Sequence, residues 1–326
     1  MRRRLGEREV SALGLGGWAI GGPFFAGDQP QGWGEVDDDE SIRAIHRALD
    51  LGVSLFDTAA VYGCGHSERV LGRALAGRFD TVAVATKFGI AFDETTRQVT
   101  GPVLEPTPDG IRAECEASLR RLGTDVIDVF QCHPSELPIE RAAEVRDVLD
   151  DLVADGLVRG HGWSTDDPAG AAIFAESPNC VAVQHEMNVL RDAPAMVDLC
   201  RRTGLAEIIR TPLGMGVLTG KFDATVRFAD DDVRRDYHWN PLLAGGAPEP
   251  EALARLDAIR DVLTSDGRTP AQGALGWLWA RSDRAIPIPG FRTVVQVEDN
   301  AGAMAHGPLR TEQMADIAQL LASPPG

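Results

Sequence analysis

Lysine and tyrosine are scarce in this sequence. Lys87 and Lys221 are the two lysines among 32 basic residues, and Tyr62 and Tyr237 are the two tyrosines. Arginine therefore supplies the generic positive charge, and phenylalanine and tryptophan supply the bulk. We expect the few lysines and tyrosines where a compact ammonium or an ionisable phenol is needed for chemistry.

Cysteine is also rare, and its spacing excludes two classes of protein. The number of cysteines is odd and no pair has the C-x-x-C spacing, so neither a disulfide framework nor a zinc knuckle is indicated. We predict reduced thiols that pack as small apolar groups, and no metal site. The cysteines are Cys64, Cys115, Cys132, Cys180 and Cys200.

Long apolar runs are missing as well. No segment approaches the roughly 18 to 20 uninterrupted apolar residues of a membrane span, and no apolar stretch follows the basic start MRRRLGEREV. We therefore interpret the chain as cytoplasmic. A net charge of −17 disfavours nucleic acid and anionic membranes as partners. The expected partner is a small molecule, whose phosphates would need local Arg, Lys or backbone N–H groups. The oligomeric state is not predicted.

Short apolar runs alternate with amphipathic stretches throughout the chain. This alternation is typical of repeated βα units around a parallel sheet. With 326 residues, of which 44% are hydrophobic, the pattern predicts one α/β domain over residues 1–326, a (β/α)8 TIM barrel. The eight predicted strands lie near residues 11–16, 53–58, 81–87, 126–133, 158–164, 180–184, 206–212 and 284–290.

Helix boundaries and connections follow from local signals. Thr107 and Pro108 predict a helix start, and Gly123 predicts its end. Residues 2–10 predict an N-terminal β-hairpin arm before the first barrel strand. Long loops are predicted after strands 1, 3 and 7, all on the C-terminal face, where active sites of this fold lie. They cover residues 21–39, 93–106 and 221–246.

Four polar residues lie at or just beyond the ends of three consecutive predicted strands. They are Asp57, Tyr62, Lys87 and His133. Such a set could reduce a carbonyl group: a Lys cation would lower the tyrosine pKa, Asp57 would orient that cation, and His133 would polarise the carbonyl. Side chains carry no hydride, so a nicotinamide cofactor would be required.

Each of these residues also has an ordinary structural interpretation. Asp57 could cap a turn, Tyr62 could be a half-buried core residue, Lys87 a surface charge, and His133 a hydrogen-bonded strand-end histidine. Their joint placement favours a functional site. Position alone leaves the reaction open, because other barrels also collect polar residues there.

The segment F-D-T-A-x-x-Y-G at residues 56–63 closely resembles the signature of the aldo-keto reductase superfamily. The resemblance covers nearly the whole chain. It implies an NADPH-dependent oxidoreductase on a (β/α)8 barrel, which reduces an aldehyde or ketone to an alcohol. The implied tetrad is Asp57, Tyr62, Lys87 and His133, with Tyr62 as general acid. Further matching segments are residues 85–87, 128–133, 162–164, 183–188, 210–221 and 286–292.

The same resemblance implies where NADPH binds. Ser164 and Gln184 would hold the nicotinamide carboxamide, and a loop from Leu213 to Lys221 would surround the pyrophosphate. The fork-shaped guanidinium of Arg292 suits the ribose 2′-phosphate, which favours NADPH over NADH, although a solvated surface charge is the alternative. The full implied cofactor set is Gly17, Trp18, Ser164, Gln184, Arg210, Leu213, Gly214, Gly216, Lys221, Gly290, Arg292, Gln296 and Asn300.

Three residues depart from the family pattern. Thr165 follows Ser164 where many members have Asn, so one amide contact to the carboxamide is lost. Arg210 stands where many members stack a Tyr on the nicotinamide, and its charge would disfavour NADP⁺. Met187 replaces a frequent Tyr and is expected only to change packing.

Aromatic residues on strand ends and long loops predict a substrate pocket for an apolar or ring-shaped carbonyl compound. Some of them could instead pin loops onto the barrel. Trp277 and Trp279 lie in a helix-like stretch and are predicted to be core or interface residues. The predicted pocket residues are Trp18, Phe24, Phe25, Trp33, Phe88, Tyr237 and Trp239.

Two other classes of function stay open at this point. The chain could be an NADPH-binding regulatory or sensor subunit that does not turn over substrate. It could also be a tailoring enzyme specific for a keto-sugar or a polycyclic ketone, or an enzyme that works mainly as an alcohol dehydrogenase. Turnover of a simple aldehyde separates the first class from a reductase, and a substrate panel separates the others.

Overall fold

The computed structural model describes residues 1–223, 225–236 and 250–322. Its strands, in chain order, are β1 (Arg2–Leu5), β2 (Arg8–Ser11), β3 (Leu15–Gly16), β4 (Phe25–Ala26), β5 (Gln29–Pro30), β6 (Leu55–Asp57), β7 (Ala83–Phe88), β8 (Ile90–Asp93), β9 (Gln98–Pro102), β10 (Val129–Cys132), β11 (His161–Ser164), β12 (Cys180–Glu186), β13 (Ala206–Arg210) and β14 (Ala285–Pro287).

The α-helices lie between and after these strands. They are α1 (Asp38–Asp50), α2 (His66–Leu75), α3 (Pro108–Leu122), α4 (Ile139–Ala154), α5 (Pro168–Phe174), α6 (Pro194–Thr203), α7 (Pro250–Leu263), α8 (Pro270–Arg281), α9 (Val294–His306) and α10 (Thr311–Ala322). Short 3₁₀ turns cover Trp18–Ile20, Gly214–Thr219, Val233–Asp236 and Ser265–Gly267.

Eight parallel strands form the barrel, in the order β3, β6, β7, β10, β11, β12, β13, β14. The two outer strands meet through a parallel bridge between Gly16 and Gly290. The Gly14 N–H also donates to the Pro287 carbonyl at 3.0 Å. Because these contacts close the sheet on itself, the predicted (β/α)8 barrel is confirmed.

The barrel interior follows from the alternation of side chains along each strand. Every second residue points inward, and the lower interior is filled by apolar residues, whereas the upper ends of the same rows are polar. Leu5 and Val10 of the hairpin β1–β2 pack into this cluster, so the predicted arm covers the N-terminal end. The apolar interior residues are Leu55, Ala83, Ala85, Val129, Ala182, Ala206, Ile208, Ile286 and Ile288.

The helices bury their apolar faces against the outside of the barrel. Helix α3 begins as predicted, with the Thr107 hydroxyl accepting from the Gly110 N–H, and it ends at Gly123 in a left-handed conformation with φ 70°. Trp277 and Trp279 of α8 are buried in this outer core, which confirms their predicted place. Within the described residues, no helix combines the length and apolarity needed to cross a bilayer.

The connections on the C-terminal face contain more structure than predicted. Residues 21–39 supply β4 and β5, and residues 90–102 supply β8 and β9, to a four-stranded sheet in the order β5, β4, β9, β8. The third connection joins them where Trp33 bridges to Asp232. Pairing between distant loops has no short-range sequence signal, so the sequence predicts these segments only as long loops. Together they cover the upper end of the barrel.

The five cysteines are free and buried, as predicted. Burial raises the pKa of the Cys64 thiol to about 11, so this thiol stays protonated at neutral pH. Met187 is also fully buried, in agreement with a role in packing.

Candidate active site

A cavity of about 730 Å³ opens at the carboxyl ends of the barrel strands. The polar ends of the inward rows line its floor, and the covering loops form its walls. Of the predicted tetrad, Asp57, Tyr62 and His133 line the cavity, and Lys87 is fully buried beside them. The barrel therefore brings these four residues together, as expected for residues at neighbouring strand ends.

Lys87 is held by three acceptors. Its Nζ donates to Asp57 Oδ2 at 2.6 Å, to the Thr58 carbonyl at 2.8 Å and to the Tyr62 hydroxyl at 3.4 Å. An ammonium group has three hydrogens and no lone pair. The Tyr62 oxygen must therefore accept from Lys87, and its own proton remains free to donate into the cavity.

The turn after β6 places the Tyr62 ring at the cavity. The Ala60 N–H donates to the Lys87 carbonyl at 3.1 Å, which ties this turn to the neighbouring strand. Gly63 follows with φ 60°, and a Cβ atom there would lie 1.8 Å from the Gly21 carbonyl oxygen. Glycine at position 63 is thus required for the close approach of the two segments.

Burial decides the pKa of Tyr62. Desolvation raises it above its ordinary value of 10, the Lys87 ammonium lowers it, and the Asp57 carboxylate raises it. The net direction is upward, whereas the sequence analysis expected Lys87 to lower it. Lys87 acts in the expected direction but is outweighed by the loss of solvent around the phenol. The phenol therefore stays protonated at neutral pH.

Lys87 is charged at neutral pH, whereas His133 is neutral. Burial lowers the pKa of Lys87, but Asp57 and Tyr62 raise it more, so the pKa lies above its ordinary value. Burial, together with the cations Lys87 and Arg210, holds the pKa of His133 well below 6.5. The site thus contains a charged ammonium, a neutral phenol and a neutral imidazole. The Tyr62 and His133 rings lie edge to face with centroids 5.8 Å apart.

Acidification should destabilise the protein through His133. The pKa of His133 in the folded chain lies below 6.5. As the pH falls through 6.5, this imidazole therefore binds a proton in the unfolded chain but not in the folded chain. This contribution to stability is full above that pH, and it is lost at about 1.4 kcal/mol per pH unit below it. Thermal unfolding followed by circular dichroism between pH 7.5 and 5.5 should show a shallower fall of Tm in His133→Asn than in the wild type. Equal slopes would contradict the depressed pKa.

Gln131 is a buried residue of this site that the sequence analysis missed. Its Nε2 donates to Asp57 Oδ1 at 3.2 Å, and its Oε1 accepts from Gln184 Nε2 at 3.3 Å. Gln184 Nε2 also donates to Asp57 Oδ1 at 2.8 Å. A signal was available, because residue 131 lies two positions before His133 and so shares its inward direction.

Several predicted cofactor residues line the cavity, and three do not. Gly17 packs against Ser67, and Gly16 lines the cavity in its place. Asn300 is buried and donates to the Gly290 carbonyl at 3.4 Å. Gly214 lies inside its loop. The predicted cofactor residues that do line the cavity are Trp18, Ser164, Gln184, Arg210, Leu213, Gly216, Lys221, Gly290, Arg292 and Gln296.

The loop after β13 has an unusual backbone. Thr211 has φ 49°, and Gly214, Met215 and Gly216 follow with φ 55°, 56° and 94°. Thr211 also lines the cavity, and its buried Oγ1 has no hydrogen-bond partner among the described residues. Strained residues of this kind collect at functional sites, and turns can bring successive backbone N–H groups into a concave surface that suits phosphate. Sequence reasoning identified the loop but not Thr211.

Arg292 contacts both a covering loop and α9. Its guanidinium donates to the Trp33 carbonyl at 2.9 Å and to the Glu35 carbonyl. Its backbone N–H donates to Gln296 Oε1 at 2.7 Å. The side chain thus lies at the cavity edge, and neither of these two carbonyls accepts from its Nε.

The charge of Arg210 is balanced by neighbouring acids. Its Nη2 lies 2.5 Å from Asp166 Oδ2 and its Nη1 lies 3.5 Å from Glu186 Oε2. Arg191 pairs with the same two acids, at 3.7 Å and 2.6 Å. Two cations face two anions, so the expected penalty against NADP⁺ is reduced. Thr165 is buried, and its hydroxyl accepts from the Asp167 N–H at the start of α5.

Aromatic side chains form one wall of the cavity. Trp18 stacks on Tyr62 with centroids 5.9 Å apart, and Trp33 meets Trp18 edge to face at 5.5 Å. Phe24 also lines the cavity. The aliphatic neighbours Val61, Ile90 and Val99 complete this wall.

Two predicted pocket aromatics lie elsewhere. Phe88 is buried in the outer core and stacks on Phe130 with centroids 4.7 Å apart. Phe25 is half-buried in β4 and does not line the cavity. Both follow residues that face the site, Lys87 and Phe24, and adjacent residues of a strand point in opposite directions. Tyr237 and Trp239 lie outside the described residues.

The cavity chemistry fits a phosphorylated dinucleotide. Arg292 and Lys221 are cations at its edge, and the loop after β13 offers a left-handed backbone. Thr211 and Gln184 line the same space. The volume lies in the upper part of the range for ligand pockets.

Comparison with known proteins agrees with this geometry. The profile of the Aldo/keto reductase family matches residues 12–322. An NADP(+) aldo-keto reductase of Schizosaccharomyces pombe is 28% identical over 93% of this chain and 86% of its own. The chloroplastic pyridoxal reductase of Arabidopsis thaliana is 30% identical over 95% and 83%. The glycerol dehydrogenase structure of Gluconobacter oxydans is 31% identical, covers 98% and 95%, and superposes with a TM-score of 0.82. The chain therefore belongs to the aldo/keto reductase family and is an NADP(H)-dependent oxidoreductase that acts on carbonyl and alcohol groups.

Proposed function

We propose that the chain reduces an apolar or ring-bearing aldehyde or ketone, with Tyr62 as the proton donor. The arrangement of Lys87 carries this proposal. Because Lys87 donates to the Tyr62 oxygen, the phenol proton points away from the ammonium and toward the cavity. As negative charge develops on the substrate oxygen, Tyr62 donates this proton, and the nearby ammonium stabilises the phenolate that forms.

His133 and Asp57 have supporting roles in this proposal. The neutral His133 imidazole, beside the Tyr62 ring, donates an N–H to the substrate carbonyl and polarises it. Asp57 holds Lys87 through the 2.6 Å ion pair. NADPH, when bound, supplies the hydride that no side chain can provide.

We further propose how this chain holds NADPH. Ser164 and Gln184 bind the carboxamide, the loop Leu213 to Lys221 surrounds the pyrophosphate, and Arg292 binds the 2′-phosphate. The support is that these residues line one continuous cavity whose cations and left-handed backbone suit phosphate. Gly290 and Gln296 line the same cavity.

The walls favour a ring-bearing substrate. Trp18, Phe24 and Trp33 surround the space next to Tyr62 with flat apolar surfaces. The Arabidopsis relative is named a pyridoxal reductase, and pyridoxal is a ring aldehyde. We propose the same class of substrate here.

A substrate panel tests this proposal. NADPH oxidation, followed by loss of absorbance, should be at least about tenfold more efficient in kcat/KM with 4-nitrobenzaldehyde than with glyceraldehyde. Burial of roughly 60 Å² of additional apolar surface is sufficient for that ratio. NADPH binding without oxidation of any carbonyl in the panel would instead favour a sensor or partner subunit. Preference for glyceraldehyde would contradict the proposed substrate class.

Arg292→Ala should weaken NADPH binding far more than NADH binding. A charge-assisted hydrogen-bonded contact to the 2′-phosphate contributes about 1.5 to 3 kcal/mol, or roughly 10-fold to 150-fold in Kd. Fluorescence titration of both cofactors measures the ratio. The loss of the Trp33 and Glu35 contacts affects the two cofactors alike, so NADH serves as the internal control. Equal losses would show that Arg292 does not bind the 2′-phosphate.

We also propose that residues 1–326 form one domain and that the protein acts in the cytoplasm. The family match over residues 12–322 supports a single unit. The free, buried cysteines are in keeping with a reducing compartment. A net charge of −17 opposes binding to nucleic acid.

A further inference from the structure

We propose that Gln131 is a positioning residue that, together with Asp57, fixes the amide orientation of Gln184 and through it the nicotinamide of the cofactor. This inference rests on the proposed contact between Gln184 and the carboxamide. It concerns three buried groups inside the barrel, from β6, β10 and β12. Gln131 is completely buried and does not line the cavity.

The hydrogen bonds of these three groups form a closed triangle. Asp57 Oδ1 accepts from Gln131 Nε2 and from Gln184 Nε2, at 3.2 Å and 2.8 Å. Gln131 Oε1 accepts from Gln184 Nε2 at 3.3 Å. The two hydrogens of the Gln184 amide therefore both point into the barrel, one to each partner.

The ion pair with Lys87 makes this orientation the favourable one. As the ionised partner of Lys87, the Asp57 carboxylate can only accept hydrogen bonds. Both glutamines must then turn their NH₂ groups toward it. Reversal of the Gln184 amide would place its carbonyl oxygen against the Asp57 carboxylate and against Gln131 Oε1, so that Gln184 Oε1 and Gln131 Oε1 would have no donor there.

The consequence lies on the cavity side. With both of its hydrogens engaged, Gln184 offers its carbonyl oxygen to the cavity. That oxygen can accept a hydrogen bond from the NH₂ group of a nicotinamide carboxamide. It cannot bind the carboxamide carbonyl oxygen, which is itself an acceptor. The tetrad ion pair thereby determines which end of the carboxamide Gln184 binds, and Gln131 holds the amide in that orientation.

The test compares two ligands that share an adenosine 2′-phosphate end. NADPH carries a nicotinamide, and adenosine 2′,5′-bisphosphate does not. Gln131→Met keeps nearly the same side-chain volume but removes both hydrogen bonds. We expect its NADPH affinity to fall about fivefold to tenfold, which corresponds to the net free energy of one neutral hydrogen bond. The bisphosphate should bind as it does to the wild type. Equal losses for both ligands would mean a general structural effect and would overturn the proposal.

A double variant tests whether Gln131 acts through Gln184. Gln184→Met alone should weaken NADPH by at least as much as Gln131→Met. In the Gln184→Met background, Gln131→Met should cause less than about a twofold further loss, because its contact is already gone. Additive losses would overturn the proposal.

A buried glutamine that does not line the cavity provides the matched control. Gln272 forms a capping box with Thr269 at the start of α8 and donates to the Asp299 carbonyl. Gln272→Met should lower the Tm but leave NADPH affinity unchanged. If Gln131→Met lowers only the Tm in the same way, Gln131 has a purely structural role. Failure of the wild type to bind NADPH would count against the proposed function itself, which is a separate outcome.

Discussion

Tyr62→Phe should remove most of the reductase turnover and leave NADPH affinity nearly unchanged. The substitution deletes one hydroxyl group and keeps the ring that stacks on Trp18. In the proposed mechanism the lost hydroxyl is the acid that protonates the developing alkoxide, and positioned acids of this kind contribute about 10²-fold to 10⁴-fold to the rate. Because the pKa of Tyr62 is raised by burial, the wild-type phenol is protonated throughout the neutral range and no proton is lost beforehand.

The measurement pairs two assays on the same preparation. Fluorescence titration with NADPH reports cofactor binding, and single-turnover oxidation of bound NADPH by 4-nitrobenzaldehyde reports the chemical step. A variant that binds NADPH normally and retains turnover within about threefold of the wild type would exclude Tyr62 as the acid. Loss of both binding and turnover would instead point to a disturbed loop, in which Gly63 and Gly21 are closely packed.

Lys87→Met should reduce both stability and turnover. The Lys87 and Asp57 side chains are 0% and 2% exposed, so removal of the cation leaves an unpaired buried carboxylate. Breaking a buried pair in this way costs about 3 to 5 kcal/mol of unfolding free energy. Turnover should fall as well, because the Tyr62 oxygen loses the ammonium that stabilises the phenolate in the proposed mechanism.

The double variant Asp57→Asn with Lys87→Met separates these two effects. A neutral amide at position 57 can still accept from Gln131 and Gln184, so most of the lost stability should return. Turnover should stay low, because the ammonium is still absent. Urea unfolding and the 4-nitrobenzaldehyde assay measure the two quantities. A double variant that regains turnover would show that Lys87 acts only through packing and charge balance.

Much of the site could be predicted from strand ends and from the alternation of residues along strands. Asp57 ends β6, Lys87 lies one residue before the end of β7, and His133 follows β10, so their inward direction and common face follow from the barrel. The same alternation places the Gln131 side chain inside the barrel and directs the Phe88 side chain away from the cavity. The prediction that Phe25 lines the pocket is wrong for the same reason. Phe24 lines the cavity, and the adjacent side chain of Phe25 points the other way.

Other parts of the site have no short-range signal. The strands β4 and β9 pair Phe25 with Gln98, more than seventy positions apart, and this pairing gives the cavity its outer wall. Long-range pairing of this kind depends on where the barrel presents the two loops. The loops were therefore predicted in the right place but without their sheet.

The sequence by itself determined the eight βα units, the family signature and the four residues that we propose as the tetrad, because each depends on local periodicity or on a contiguous motif. The tertiary structure alone decided the electrostatics. It set the direction of the Tyr62 pKa, where burial outweighs Lys87, and it balanced Arg210 with Asp166 and Glu186 from other strands and loops. The physical reason is that desolvation and charge balance depend on distances between residues far apart in the chain, and folding fixes those distances.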